Sequence, residues 1–212
     1  MATPPSGRST ARYHHGDLRR ALMDAAVATV AADGPAAVSL RGLAARAGVS
    51  HAAPVHHFGD KAGLFTAVAV EGFDLLADEL GETWEGTGDF LEVGVRYVHF
   101  ALSHPGHFAV MFHPDLQRGG DPELQRSKER AFATLRGPIV ASGKAKDRRS
   151  LQAVSLASWS IVHGLATLIL SGNLPELSLA DADVLARRVL ASRGDPLSPP
   201  SATQGDFRGA RR

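Results

Sequence analysis

The chain has 212 residues, 23 Lys+Arg against 22 Asp+Glu, a net charge of +1, 44% hydrophobic and 21% charged residues. This is the balance of a globular protein rather than of a disordered one. It has no cysteine, which excludes disulfides, thiolate metal sites and cysteine nucleophiles. The longest apolar run, residues 161–170, is broken by His163 and Gly164 and falls short of the ~20 residues that cross a bilayer. Residues 1–12 lack the apolar core of a secretory signal, so a cytoplasmic protein without a membrane partner is expected.

Charge is unevenly spread. Residues 1–61 carry seven Arg/Lys and four Asp, residues 62–195 carry 13 basic and 17 acidic groups, and residues 196–212 carry three Arg and one Asp. A basic front on a mildly acidic body points to a polyanion at the N-terminal end. In chain order, residues 1–12 read as a disordered basic arm. Residues 17–32 place Leu18, Leu22, Ala25, Ala26 and Val30 on one helical face, and Asp33-Gly34-Pro35 ends that helix. Ser39 is suited to cap a helix over 40–47 that stops at Gly48. Ser50 is suited to cap a short helix over 51–58, and Asp60 a long one over 61–80. Further helices are expected at 89–103, 108–112, 123–140, 150–171 and 180–192, with loops at His104-Pro105-Gly106 and at the other Gly/Pro clusters. Residues 196–212 read as a disordered tail. The expected fold is all-α with about nine helices.

The first chemical signal is SLRGLAARAGVSHAAPVHHFGDK, residues 39–61. Two short helices are joined at Gly48. Small Ala44 permits a close crossing, and Leu43, Ala47 and Val49 form an apolar seam. This is helix-turn-helix spacing. Such a motif lays its second helix in the major groove with N-terminal residues on base edges, here Ser50, His51, Ala52 and Ala53, followed by Val55 and His56. Ser39, Arg41, His57 and Lys61 flank it and suit phosphate contact.

Residues 13–66 resemble the DNA-binding domain of the tetracycline-repressor (TetR-like) regulators. Matching blocks are Tyr13-His14-His15-Gly16-Asp17-Leu18-Arg19, Asp33-Gly34, Ser39-Leu40-Arg41-Gly42-Leu43-Ala44, Ala47-Gly48-Val49-Ser50, His57-Phe58 and Asp60-Lys61, closed by Leu64 and Phe65. The resemblance implies a three-helix head over residues 13–60 that reads a double-stranded operator. A helical ligand-binding and dimerisation domain over 61–195 would follow. It assigns Ser50, His51, Ala52, Ala53, Val55 and His56 to the recognition helix, and Ser39, His57 and Lys61 to phosphate contact. The family usually has Tyr where this chain has Val55. The recognition helix also lacks Arg, Asn and Gln, the side chains that read purines bidentately.

Trp159-x₃-His163-Gly164, with Ser103-His104-Pro105-x₂-Phe108-x₂-Met111-Phe112 upstream, is similar to the subfamily named for a Trp-His-Gly C-terminal domain. Trp159 and His163 share a helix face. With Phe73, Phe100, His104, Phe108, Met111 and Phe112 they form a candidate wall for a small, mainly apolar effector. The 150–171 helix is apolar around most of its circumference. Leu156, Gly164 and Leu168, with Leu185 and Val189 on the last helix, are the expected two-fold, four-helix dimer interface.

Enzyme and metal readings have thin support. His99, His104, His107 and His113 invite a metal, but HExxH is absent and no carboxylate cluster accompanies them. G-x-S-x-G and P-loop patterns are also absent. No cofactor, metal or catalytic activity is expected. The leading reading is a homodimeric repressor of a palindromic operator, relieved by an effector. The alternatives are a helical metal-binding protein or enzyme, or an effector-binding module with weak DNA binding.

Overall fold

The computed structural model describes residues 15–141, 143 and 145–192, with side chains from residue 18 onward. The basic arm over residues 1–12, with Arg8 and Arg12, and the 196–212 tail lie outside the described residues. Within them the chain forms nine α-helices, two short 3₁₀ turns and no strand. The helices are α1 (His15–Asp33), α2 (Leu40–Arg46), α3 (Ala52–Phe58), α4 (Lys61–Thr87), α5 (Phe90–Ser103), α6 (Pro105–Met111), α7 (Pro122–Ala141), α8 (Arg148–Leu170) and α9 (Leu179–Ala191).

Caps set most of these boundaries. Ser39 Oγ accepts from the Gly42 N–H at 3.1 Å and opens α2. Asp60 Oδ1 accepts from the Gly63 N–H at 2.7 Å and opens α4. Asp147 and Ser150 form a reciprocal capping box on α8. Three expectations need correction. Ser50 makes no side-chain cap. Its carbonyl accepts from Ala53 N–H, and His51 occupies the cap position of α3. The helix from residue 61 does not stop at Gly81 but continues to Thr87, where Gly88 (φ 62°) turns the chain. Gly81 merely lowers helix propensity, whereas Gly88 takes a conformation that other residues disfavour. Finally, His107 does not lie in a loop: α6 begins at Pro105, whose missing N–H costs nothing in a first helical turn.

The chain packs as two compact units. The first comprises Met1–Phe73 and Pro105–Lys128. Its core includes Leu22, Ala26, Val30, Leu43, Ala44, Leu64, Phe65 and Val68. Here α6 lies against α1 so closely that a Cβ on Gly106 would stand 2.3 Å from the Val27 carbonyl oxygen. The second unit comprises Asp74–His104 and Glu129–Arg212. In it α5 packs on α8 and α9 around Val93, Val98, Phe100, Ala101, Val162 and Ala186. A Cβ on Gly94 would come within 2.7 Å of Leu190.

Helix α8 departs from another expectation. Over its best window the mean hydropathy is 1.7, and by length and composition it could cross a membrane. The short run at 161–170 concealed this, because apolar residues recur along all 23 positions. Only 22% of that window is buried within the chain, so much of its apolar surface is left to be covered by something else.

Candidate functional site

The helix-turn-helix is built by backbone chemistry at Gly48. Its φ of 66° lets Val49 N–H reach the Ala44 carbonyl at 3.0 Å and its own N–H reach Ala45 at 3.2 Å. These two bonds are the Schellman pair that closes α2. Ala44 and Leu43 are buried at the crossing. In α3, Pro54 and Phe58 are buried one turn apart and anchor the helix. The opposite face carries His51, Ala52, Val55 and His56, all exposed, while Ala53 and His57 are half-buried. Val55 is 51% exposed, an apolar side chain held in water on the same face as two histidines.

The expected phosphate-contact residues surround this face in sequence. Arg41 is exposed on the first turn of α2. Ser39 uses its hydroxyl as the α2 cap, and Ser50 is exposed in the turn. Lys61 is half-buried, its ammonium 5.4 Å above the Phe65 ring and 3.5 Å from the Ala36 carbonyl.

One residue that the sequence did not single out stands at the end of α3. Arg118 donates to the Phe58 carbonyl at 3.3 Å and pairs with Asp60 at 3.0 Å, while its backbone N–H donates to Thr66 Oγ1 at 2.9 Å. A cation at a helix C-terminus meets the negative end of the macrodipole. The Asp60 carboxyl is held below the ordinary carboxylate range, first by the Gly63 N–H and then by Arg118. The local clue is steric: a Cβ on Gly59 would stand 2.9 Å from the Arg118 guanidinium. Gln117 beside it is buried and donates to the Val110 and Met111 carbonyls, fixing the segment that carries Arg118.

The eight expected effector-wall residues fall four to each unit. In the first, Phe73 meets Phe112 edge-on at 5.5 Å, Phe108 lies 5.1 Å from Phe112, and Met111 is buried. A Cβ on Gly72 would stand 2.6 Å from the Met111 sulfur. In the second, Phe100 is fully buried and His104 stacks on it at 4.7 Å. There Trp159 Nε1–H donates to Tyr97 Oη at 3.1 Å, and Tyr97 Oη lies 2.9 Å from His163 Nδ1. Burial pushes the Tyr97 phenol well above its ordinary value and pulls the His163 imidazole down. Both are therefore neutral near pH 7, and Tyr97 is suited to donate to an unprotonated Nδ1. Tyr97 carries no sequence signal: its partners lie 62 and 66 residues away.

The expected interface residues on α8 and α9 divide by exposure. Leu156 and Leu168 are 57% and 47% exposed, whereas Gly164, Leu185 and Val189 are half-buried. A side chain at Gly164 would meet nothing within 4 Å. Of the histidines weighed as metal ligands, His99 pairs with Asp183 at 3.2 Å, His107 lies 3.4 Å from Glu71, and His113 is exposed. No group of three or more ligating side chains among the described residues is placed to hold a metal ion.

Two families match the chain. Residues 22–68 match "Bacterial regulatory proteins, tetR family", and residues 90–192 match "Tetracyclin repressor-like, C-terminal domain". No curated protein matches. Among solved structures, a protein of unknown function from Rhodococcus sp. RHA1 is 31% identical, with a TM-score of 0.69, over 86% of this chain and 97% of that one. A bacterial regulatory protein in the tetR family from Rhodococcus RHA1 is 18% identical with a TM-score of 0.63, over 82% of this chain and 93% of that one. A TetR family transcription regulator from Marinobacter aquaeolei VT8 is 22% identical with a TM-score of 0.61, over 84% of this chain and 98% of that one. The two family matches, taken in order along a chain whose described elements are all helical and that carries a helix-turn-helix at its front, show that it belongs to the tetR family of DNA-binding transcription regulators.

Proposed function

We propose that the chain is a cytoplasmic, homodimeric repressor that binds a palindromic operator and releases it when a small organic molecule enters the helical domain over residues 61–195. The observation that carries the reading is the solvent-facing side of α3: His51, Ala52, Val55 and His56 point to water while Pro54 and Phe58 hold the helix in place. A helix displayed in this way suits the major groove. His51 is suited to a guanine acceptor, and Ala52, Ala53 or Val55 to a thymine methyl. Ser39, Arg41, Ser50, His57 and Lys61 would hold the phosphates.

Dimerisation is supported by the exposed Leu156 and Leu168 on α8 and Leu179 and Val184 on α9, and by the open space at Gly164. A second copy of these two helices would cover them in a two-fold bundle. Trp159, His163 and Gly164 support assignment to the Trp-His-Gly subfamily. The aromatic groups around Phe73, Phe108, Met111 and Phe112, and around Phe100, His104, Trp159 and His163, support an effector role for the body. Coupling would run along α4, whose residues are divided between the two units. An effector shifts operator affinity only if it prefers the conformation that fits DNA poorly. The family membership supports a non-enzymatic role.

The test is a mobility-shift titration on the chain's own upstream DNA with the intact protein and with H51A and K61A. Loss of specific binding in both variants, with helicity retained, supports the reading. Specific binding that survives both substitutions removes α3 from the contact.

A further inference from the structure

The second unit holds a cleft of about 450 Å³ between α7 and α8, within the roughly 300–1,000 Å³ of small-molecule sites. On α7, Phe132, Leu135 and Arg136 face it at i, i+3 and i+4. On α8, Arg148, Leu151, Gln152, Ser155, Leu156 and Trp159 continue one stripe along three turns. At one end of that stripe Phe132 and Trp159 meet edge-on at 5.4 Å. Trp159 is turned by its bond to Tyr97. Arg148 opens the α8 stripe at its other end and Arg136 stands one helical turn from Phe132 on α7; both are exposed. Neither has a carboxylate partner among the described residues.

Those two cations are not explained by folding. Arg148 is the first residue of α8, where a positive charge opposes the helix macrodipole, and Lys146 and Arg149 add to it. The one neighbouring carboxylate, Asp147, is engaged as the cap by the Ser150 N–H. The wall also contains an unmet hydroxyl: Ser155 Oγ is buried without a hydrogen-bond partner among the described residues. Eleven residues of helix separate Trp159 from Arg148, or about 16 Å at 1.5 Å per residue.

We propose that this cleft binds an elongated amphipathic carboxylate. Its apolar body lies along Leu135, Leu151 and Leu156 toward Trp159, and its head is clasped by Arg136 and Arg148. Guanidinium suits a carboxylate because its planar fork gives two parallel N–H···O bonds. Alkyl and aryl-alkyl carboxylates share this chemistry. Leu156 also lies on the face proposed for the dimer, so the second copy would form the outer wall. The site's regulatory consequence, release of the operator, rests on the effector reading above; binding itself does not.

Isothermal titration of the full chain without DNA tests the site, with decanoate, 4-phenylbutyrate, decylamine and acetate as probes. Decanoate or phenylbutyrate is expected to bind and acetate not to. R136A/R148A should weaken carboxylate binding at least roughly tenfold with unchanged circular dichroism, and R136E/R148E should reject decanoate and accept decylamine. No binding of either long carboxylate, or equal affinity in the intact chain and R136A/R148A, overturns the proposal. Stronger binding of one carboxylate decides between the alkyl and aryl sources. If decanoate binds as described yet leaves operator affinity unchanged, the cleft stands as a binding site and its regulatory consequence falls; operator release by another molecule without carboxylate binding overturns the cleft and leaves the effector reading standing.

Discussion

At the residue scale, the head depends on a few polar atoms at helix ends. Arg118 closes the C-terminus of α3 against Phe58 and Asp60. Because that ion pair is exposed, Arg118→Ala should leave the urea unfolding midpoint nearly unchanged. It should nonetheless lower operator affinity several-fold, since the end of the recognition helix loses its tie. Unchanged affinity in an anisotropy titration would remove Arg118 from this role. The Trp159–Tyr97–His163 chain behaves differently because it is buried. Tyr97→Phe removes the hydroxyl that accepts from the indole N–H and lies against the imidazole nitrogen, and should destabilise the fold by about 1–3 kcal/mol. Burial also depresses the His163 pKa from 6.5, so the unfolded chain binds the proton first as pH falls. Stability from this group is therefore complete above about pH 6.5 and declines as pH drops through the lower folded value. Urea midpoints between about pH 7.5 and pH 5.5 should fall less steeply in His163→Gln than in the intact chain; an equal slope would contradict this. Ser39, Gly48 and Asp60 were legible in the sequence because each acts on neighbours within five residues. Arg118 and Tyr97 were not, because their partners are some 60 residues distant and no local pattern announces them.

At the element scale, hydrophobic period and Gly/Pro punctuation placed the nine helices of the described residues, and two ends were misjudged. Gly81 was read as a stop although it lies inside α4. Only a glycine that takes positive φ, such as Gly34, Gly48, Gly88 or Gly172, ends a helix here; Gly81 and Gly86 do not. The start of α6 was missed for the complementary reason, that proline disrupts a helix interior but suits a first turn. That Pro105–Lys128 returns to pack with the N-terminal helices has no signature in composition. It rests on contacts such as α6 against α1, where Gly106 leaves room for the Val27 carbonyl. Gly106→Ala should force the two helices apart and cost about 1–3 kcal/mol, seen as a lower thermal midpoint. A neutral result would mean that α6 moves away freely.

At the scale of the whole molecule, the proposed dimer rests on the exposed apolar surface of α8 and α9. Helix α8 could by length and composition cross a membrane; in the proposed dimer a second copy would cover its apolar surface. Leu156→Glu combined with Leu168→Glu should convert a dimer to a monomer in sedimentation. It should also abolish specific operator binding, because two linked recognition helices read two half-sites while one alone binds weakly. A folded monomer that still binds the operator fully would refute that link. The central claim is that α3 meets duplex DNA twice in each assembly. It is tested most directly by anisotropy titration of the intact chain on a duplex from its own upstream region at rising salt. Two chains should bind per site, tighter than to scrambled DNA. Arg41 and Lys61 from each copy give a salt slope that lowers affinity roughly a hundredfold between about 50 and about 200 mM. Binding of one chain per duplex, or equal affinity for scrambled sequence at every salt concentration, would contradict it.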